Sequence, residues 1–368
     1  MREGELIILL GAGTSVEAGI PASRQMIAEV ETLLDSDQTW KSYRQLYQFV
    51  KASLIGAEVM RGKAVSEPDI ERVVNTLSEL AKNTECALYP FMSGWHQRLI
   101  ELAGHDFREV KAFRSLILHR LRDWISLESY SKTRYYEVFF KLREELKFAI
   151  RVFSLNYDLC LENNANGREL EVGFDPQSEV WDFRRFESRE ETAPDIYLYK
   201  LHGSINWYRD RSQGNILKIS AAPHASPDLI FGTDYKMQYI DPYLFYAYEL
   251  RRFSLESKVI LAIGYSFRDD HINGIIAQAL QNDPARVLIA VSPSASKDVV
   301  AVKEVSAQCR AIDKTAAAFL TGVTIKNLEE TAGIRETDPL FDEAPSNSIG
   351  DGGASVTPAA TSFTDRVQ

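Results

Sequence analysis

The 368-residue chain is poor in cysteine. Cys86, Cys160 and Cys309 stand far apart and never in a C-x-x-C pair. Neither a disulfide framework nor a thiolate zinc site has the spacing it needs, and a reducing cytoplasmic compartment is expected. Long hydrophobic runs are also missing: no apolar stretch reaches membrane-spanning length. Met1-Arg2-Glu3-Gly4-Glu5 leads into an apolar run too short for a signal-peptide core, so neither a membrane partner nor a leader is expected. Positive charge is in deficit, with 42 Lys and Arg against 52 Asp and Glu and a net charge of −10. The global field therefore disfavours nonspecific polyanion binding, and direct nucleic-acid binding is not indicated. No Gly-Lys-Ser/Thr follows a glycine turn, which excludes a nucleoside-triphosphate P-loop. No internal repeat is found.

What is present is a hydrophobic content of 45%, enough for a substantial core. Glu5 to Leu10 reads as a buried strand, and Ala22 to Leu34 as a helix. From about Gln38 to Lys147 the periodicity stays helical. Glu67-Pro68-Asp69-Ile70 reads as a helix start with Pro68 near the first helical position, and Phe107–Ile125 and Arg134–Lys147 as further helices. The pattern then alternates. Strands are expected over Phe148–Leu155, Ile196–Leu201, Val259–Ile263 and Arg286–Val291, with a short one over Asp228–Phe231. Helices are expected over Pro242–Leu255, Asp269–Gln281 and after Ser294. Alternation of this kind specifies an α/β fold, a Rossmann-like parallel sheet with helices on both faces. The core is expected from residues 1–25 and 148–332, with a helical insertion over 26–147. Residues 333–368 are low in apolar content. They read as a solvated tail or as a segment that orders against a partner.

Four segments carry chemistry-bearing residues at predicted strand ends. The first is Gly11-Ala12-Gly13-Thr14-Ser15-Val16-Glu17-Ala18-Gly19-Ile20-Pro21. Its glycines permit a turn whose amides approach a phosphate, with the positive end of the following helix aimed at the same place, or a tight turn of packing value only. It is not the dinucleotide fingerprint of a hydride-transferring dehydrogenase. Position 16 is Val16, and the region about 20 residues on, where a ribose-binding acid should end a second strand, is helical. The second is Ser154-Leu155-Asn156-Tyr157-Asp158, in which Asn156 and Asp158 read as a helix cap or as crevice residues. The third is Lys200-Leu201-His202-Gly203-Ser204-Ile205-Asn206-Trp207, where His202 is structural or catalytic. The fourth is Gly264-Tyr265-Ser266-Phe267-Arg268-Asp269-Asp270-His271. It offers an anion nest with a hydroxyl, while Asp269 and Asp270 suit a helix cap.

In order and residue type these segments resemble the sirtuin (silent-information-regulator) family, in its bacterial sirtuin-like branch of antiphage defence. The resemblance runs from about Leu6 to Val291, less the helical insertion. It implies NAD⁺ as substrate. Gly11, Ala12 and Gly13 would line the pyrophosphate, and Thr14, Ser15 and Arg24 would lie near the phosphates and the nicotinamide side. Asn156 and Asp158 would hold the nicotinamide ribose and carboxamide region, and His202 matches the family's catalytic His. Gly264 and Ser266 would bind phosphate or the adenine ribose, with Ser292 on the adenosine side. The departures point away from deacylation. No cysteine lies between Cys160 and Cys309, so the family's zinc module cannot be built and no metal is expected. Gly-Ile-Pro continues Ala22-Ser23-Arg24 instead of Asp-Phe-Arg, which removes the aromatic shield of the reacting sugar. Leu155 stands where deacylases commonly have Gln.

The resemblance therefore implies an NAD⁺ hydrolase that yields nicotinamide and ADP-ribose. Relatives of this kind deplete NAD⁺ in phage defence, so low resting activity, a homo-oligomer and a separate partner, a HerA-like helicase/ATPase, are implied as well. The alternatives are a protein deacylase, an ADP-ribosyltransferase, or a non-catalytic NAD or ADP-ribose sensor.

Overall fold

The computed structural model describes residues 1–62, 67–82, 97–187, 193–230 and 241–334. Cys86, Phe231 and all of the expected tail beyond residue 334 lie outside the described residues. Among the described residues there are nine strands: β1 (Leu6–Leu10), β2 (Ile150–Ser154), β3 (Leu170–Glu171), β4 (Ile196–Lys200), β5 (Trp207–Asp210), β6 (Ile216–Ile219), β7 (Val259–Ile263), β8 (Val287–Ser292) and β9 (Cys309–Asp313). Seven form one sheet in the order β3-β4-β2-β1-β7-β8-β9, and β5 and β6 form a separate hairpin. Every neighbouring pair in the large sheet is parallel. Its strands β1, β4, β7 and β8 are buried at every position. Burial on both faces is what continuous apolar runs such as Leu-Ile-Ile-Leu-Leu specify.

The register aligns the strand ends. Leu10 pairs with Ser154 on one side and Ile263 on the other, Ser154 pairs with Lys200, and Ile263 pairs with Val291. Beyond that row lie Gly11, Asn156, His202, Gly264 and Ser292, all at one edge of the sheet. After β1 the chain builds outward through β2 and β4, then crosses back to build β7, β8 and β9 on the opposite side. The reversal between β1 and β7 is a topological switch point, where an open α/β sheet holds its ligand crevice.

The helices are α1 (Ser23–Ser36), α2 (Gln38–Lys41), α3 (Arg44–Met60), α4 (Ile70–Ala81), α5 (Gln97–Ala103), α6 (Arg108–Ile125), α7 (Val138–Leu146), α8 (Tyr243–Glu256), α9 (Asp270–Asn282), α10 (Ala295–Asp298), α11 (Ala316–Leu320) and α12 (Ile325–Ala332). One sheet face is covered by α8 and α9. There Phe153, Tyr199, Ile260 and Ala262 pack with Tyr246, Leu250, Phe253 and Ile276. Phe153 stacks on Tyr199 at 4.6 Å and Tyr199 meets Tyr246 edge-on at 5.7 Å. On the other face α11 and α12 pack on β8, with α7 against α12. Helices α1–α7 all fall between the adjacent strands β1 and β2, so the helical stretch is one long crossover connection. No strand interrupts it among the described residues.

The glycine turn feeds a single 3-10 turn, Ala12–Thr14, and α1 begins at Ser23, within one residue of its expected start, with Ala22 as the N-cap. Gly19 at φ +106° and Pro21 prevent the intervening residues from joining α1. Pro68 precedes the cap of α4 instead of entering the helix. Asp69 is the N-cap, its side chain accepting the Arg72 N–H at 2.9 Å. Of the short strand expected over Asp228–Phe231, the described residues form only a bridge between Gly203 and Leu229.

At the switch point two loops touch backbone to backbone. Gly11 and Gly13 donate their N–H groups to the carbonyls of Ile263 and Gly264, each at 2.9 Å. Gly264 has φ +65°, and a Cβ there would lie 2.1 Å from the Thr14 nitrogen. Gly264→Ala should therefore destabilise the protein by about 1–3 kcal/mol through strain and overlap. Gly274→Ala, on α9 with open space around it, should stabilise by about 0.5–1 kcal/mol. Chemical denaturation of both variants checks the pair, and an unchanged midpoint for Gly264→Ala would remove the packing role assigned to it.

Candidate active site at the switch point

Ser15, 1% exposed, follows the glycine turn and meets three side chains. Its Oγ–H donates to Asp158 Oδ2 at 2.7 Å, Asn156 Nδ2 donates to Ser15 Oγ at 3.1 Å, and Tyr136 OH lies 2.9 Å from the same oxygen. A carboxylate only accepts, so the single Ser15 proton goes to Asp158, and its two lone pairs take Asn156 and Tyr136. That assignment fixes the Asn156 amide, with nitrogen toward Ser15. Asn156 Oδ1 is then buried without a hydrogen-bond partner. A buried, unpaired carbonyl oxygen is costly in a finished protein and is suited to a donor brought by a ligand.

Asp158 is held from three directions. Its Oδ1 accepts the Cys160 N–H at 2.9 Å, Oδ2 accepts Ser15, and its backbone carbonyl accepts from Lys200 Nζ. Lys200, 1% exposed, also donates to Glu162 Oε1 at 2.9 Å. Burial pushes the Glu162 carboxyl above its usual value, with the Lys200 ammonium opposing the rise. Burial likewise raises the Cys160 thiol, with the Asp158 charge adding to the rise, which keeps it an unreactive neutral group. A small cavity beneath the cluster is bounded by Tyr136, Ser154, Asn156, Asp158, Glu162 and Lys200 together with Leu10, Leu161 and Leu198.

His202 occupies the equivalent position after β4. It is 6% exposed, and its Nε2 lies 3.7 Å from Asp269 Oδ2. That is longer than a hydrogen bond, as catalytic contacts in unliganded sites often are. The other carboxylate oxygen of Asp269 caps α9, accepting from His271 N at 3.1 Å and Ile272 N at 3.4 Å. Asp269 thus serves the helix with one oxygen and faces His202 with the other. The His202 loop is pinned from behind. Its carbonyl accepts the Ile230 N–H at 2.9 Å, and Tyr157 OH donates to the Ile230 carbonyl at 2.7 Å. Gly203 is required there, since at φ +86° a Cβ would lie 2.2 Å from the Asp228 carbonyl oxygen. A pocket beside His202 is walled by Leu201, Tyr243, Ala247, His271, Ile272 and Ile275.

The remaining sequence-derived residues have mixed surroundings. The N–H groups of Gly11, Gly13 and Thr14 are spent on backbone carbonyls, and between them stands Ala12, an exposed residue. Thr14 Oγ1 points inward to the Ile263 carbonyl at 2.7 Å. Ser266 is exposed beyond Gly264, and Arg24 is exposed on the first turn of α1. Ser292 Oγ donates to Asp298 Oδ2 at 2.7 Å and accepts the Ser294 N–H, organising the turn into α10. Glu17 ties the same first loop to α11, accepting from Thr315 Oγ1 at 2.9 Å and Ala317 N at 2.7 Å.

Five contributors were not anticipated: Tyr135, Tyr136, Glu162, Lys200 and the His-facing oxygen of Asp269. Only Lys200 carried a signal, a lone charge ending the apolar run Ile-Tyr-Leu-Tyr-Lys-Leu. Among the described residues no group of three or more His, Cys, Asp or Glu side chains is placed to hold a metal ion. No described helix is long and apolar enough to cross a membrane.

An open parallel sheet with polar side chains converging at its switch point is the place where doubly wound α/β proteins hold a ligand crevice. More particularly, the family model of the SIR2-like domain matches residues 150–312, somewhat less than half of the chain. Similar solved structures include a mutant Sir2 homologue in complex with ADP-ribose, 14% identical, covering 90% of this chain and 94% of that one, with a TM-score of 0.42. Another is a Sir2 homologue–NAD complex, 15% identical, covering 89% and 88%, with a TM-score of 0.37. No curated protein matches the chain.

The ion pair, buried at Lys200 and 21% exposed at Glu162, can be tested apart from any activity. Lys200→Met removes the cation beside Glu162 and should cost about 1–3 kcal/mol in denaturant unfolding. Adding Glu162→Gln should recover most of that loss, and a double variant as unstable as the single would refute the pairing.

Proposed function

We propose that the protein is an NAD⁺ hydrolase that cleaves the nicotinamide N-glycosidic bond and releases nicotinamide and ADP-ribose. The SIR2-like domain over residues 150–312 suggests an NAD-using enzyme. The observation that carries the finer reading is the unpartnered Asn156 Oδ1, whose amide is oriented by Ser15 at the switch point. His202 stands beyond the same register row. Pure binding has no need of that pair.

The nicotinamide of NAD⁺ is a cationic leaving group and needs no general acid. Its C1′–N bond breaks with the electron pair returning to the ring nitrogen, through an oxocarbenium-like transition state. Water then bonds to C1′. Asn156 Oδ1 accepts a hydrogen bond from the ribose or from that water, and His202 takes the water's proton as general base, with Asp269 behind it. Asp158, fixed by Ser15 and Cys160, holds the carboxamide side and adds negative charge near the developing cation. On this reading Gly11, Ala12 and Gly13 line the pyrophosphate, and Thr14, Ser15 and Arg24 lie near the phosphates and the nicotinamide side. Gly264 and Ser266 take phosphate or the adenine ribose, with Ser292 on the adenosine side. Hydrolysis is favoured over acyl transfer by the absent aromatic shield after Pro21. From the resemblance alone we also propose a regulated homo-oligomeric effector of antiphage defence paired with a HerA-like helicase/ATPase.

Purified protein incubated with NAD⁺, with and without an acetylated peptide and a candidate ATPase, should release ADP-ribose independently of peptide. His202→Ala and Asn156→Ala should each lower turnover by about 10²–10⁴-fold. Release only with peptide would replace hydrolysis by transfer or deacylation. NAD⁺ binding without turnover in every condition would make the protein a sensor.

A further inference from the structure

The residue that completes the Ser15 hydroxyl comes from the helical connection. Tyr135 and Tyr136 lie in a 3-10 turn, Ser131–Glu137, which leads into α7. Tyr136 OH meets Ser15 Oγ at 2.9 Å, and Tyr135 OH donates to the Thr14 carbonyl at 2.6 Å. Consecutive tyrosines thus hold consecutive residues of the glycine loop. Tyr136 is 1% exposed. Burial and the neighbouring Asp158 charge raise both phenols well above their usual value, so they remain O–H donors. With the Ser15 proton committed to Asp158, Tyr136 can only donate to Ser15. Without that donor one Ser15 lone pair is open, and the hydroxyl that orients the Asn156 amide is held by Asp158 and Asn156 alone.

We propose that Tyr136 is a positioning residue that acts through Ser15 on Asn156 and Asp158, and that Tyr135 clamps the same loop at Thr14. The helical connection between β1 and β2 is in this way part of the site: any movement of the 131–137 turn is transmitted to the Asn156 amide. The inference rests on the NAD⁺ reading for its substrate and on the hydrogen-bond geometry for everything else.

The test is a double-mutant cycle on the full chain with Tyr136→Phe, Ser15→Ala and the combination, read as kcat and KM for NAD⁺. Tyr136→Phe should lower kcat by roughly tenfold, the scale of one hydrogen bond, with KM within about twofold. In the Ser15→Ala background Tyr136→Phe should lower kcat no further, because a residue acting through another has no effect once that other is gone. Equal losses in both backgrounds would overturn the proposal. So would a Tyr136→Phe variant with unchanged kcat and only a lower unfolding midpoint. If the wild-type protein binds NAD⁺ but releases no nicotinamide, the hydrolase reading falls and the same cycle is scored on NAD⁺ affinity by calorimetry. Non-additive loss of affinity there supports the positioning role, and additive or absent loss refutes it. A protein that neither binds nor cleaves NAD⁺ overturns both.

Discussion

One serine hydroxyl joins three parts of the chain that are remote in sequence. Ser15 stands 121, 141 and 143 residues from Tyr136, Asn156 and Asp158, and bonds to all three. A hydroxyl has one proton and two acceptor positions, and here each has a single possible use. Singly such bonds contribute about 1 kcal/mol. Their joint effect is directional: they leave one side-chain carbonyl, Asn156 Oδ1, facing an open demand. The glycine contact beneath supports this arrangement, because Ser15 keeps its place only while Gly11 and Gly13 sit directly on Gly264.

Charge in the buried cluster is unevenly balanced. Asp158 and Glu162 are two carboxyl groups in a cluster with one ammonium, Lys200, which bonds the Glu162 carboxylate and the Asp158 main-chain carbonyl. An excess of negative charge away from water matters little to folding if each oxygen is paired. It matters to a cation that arrives or develops nearby, since the surrounding dielectric is low. On the proposed reading that cation is the departing nicotinamide ring and the sugar carbon it leaves.

The alternation of apolar strands and amphipathic helices made the sheet legible. The limits of β7 were fixed by the apolar run Val-Ile-Leu-Ala-Ile, and β1, β2, β4 and β8 lie within one or two residues of their expected ends. Elements with weaker patterns were not legible. The two-residue β3, the four-residue strands of the hairpin β5–β6 and the edge strand β9, whose residues are largely exposed, owe their existence to neighbours. Within the site, residues on strand ends could be read because a strand end has a position before the fold is known. Tyr135 and Tyr136 could not be, since a tyrosine at helical spacing looks the same whether it faces a core or a loop more than a hundred residues away. Their partnership is a product of the crossover path alone.

The Glu17 carboxylate reaches across the whole folded unit to Thr315 and Ala317, at separations of 298 and 300 residues. The loop after β1 is therefore completed by segments that follow it in the chain: the 131–137 turn, β2, β7 and α11 each contribute a contact. A fragment ending before β9 carries the recognisable motifs yet lacks the Glu17 restraint. On the proposed reading, a product cut short there keeps the residues of the site without the finished loop that holds them.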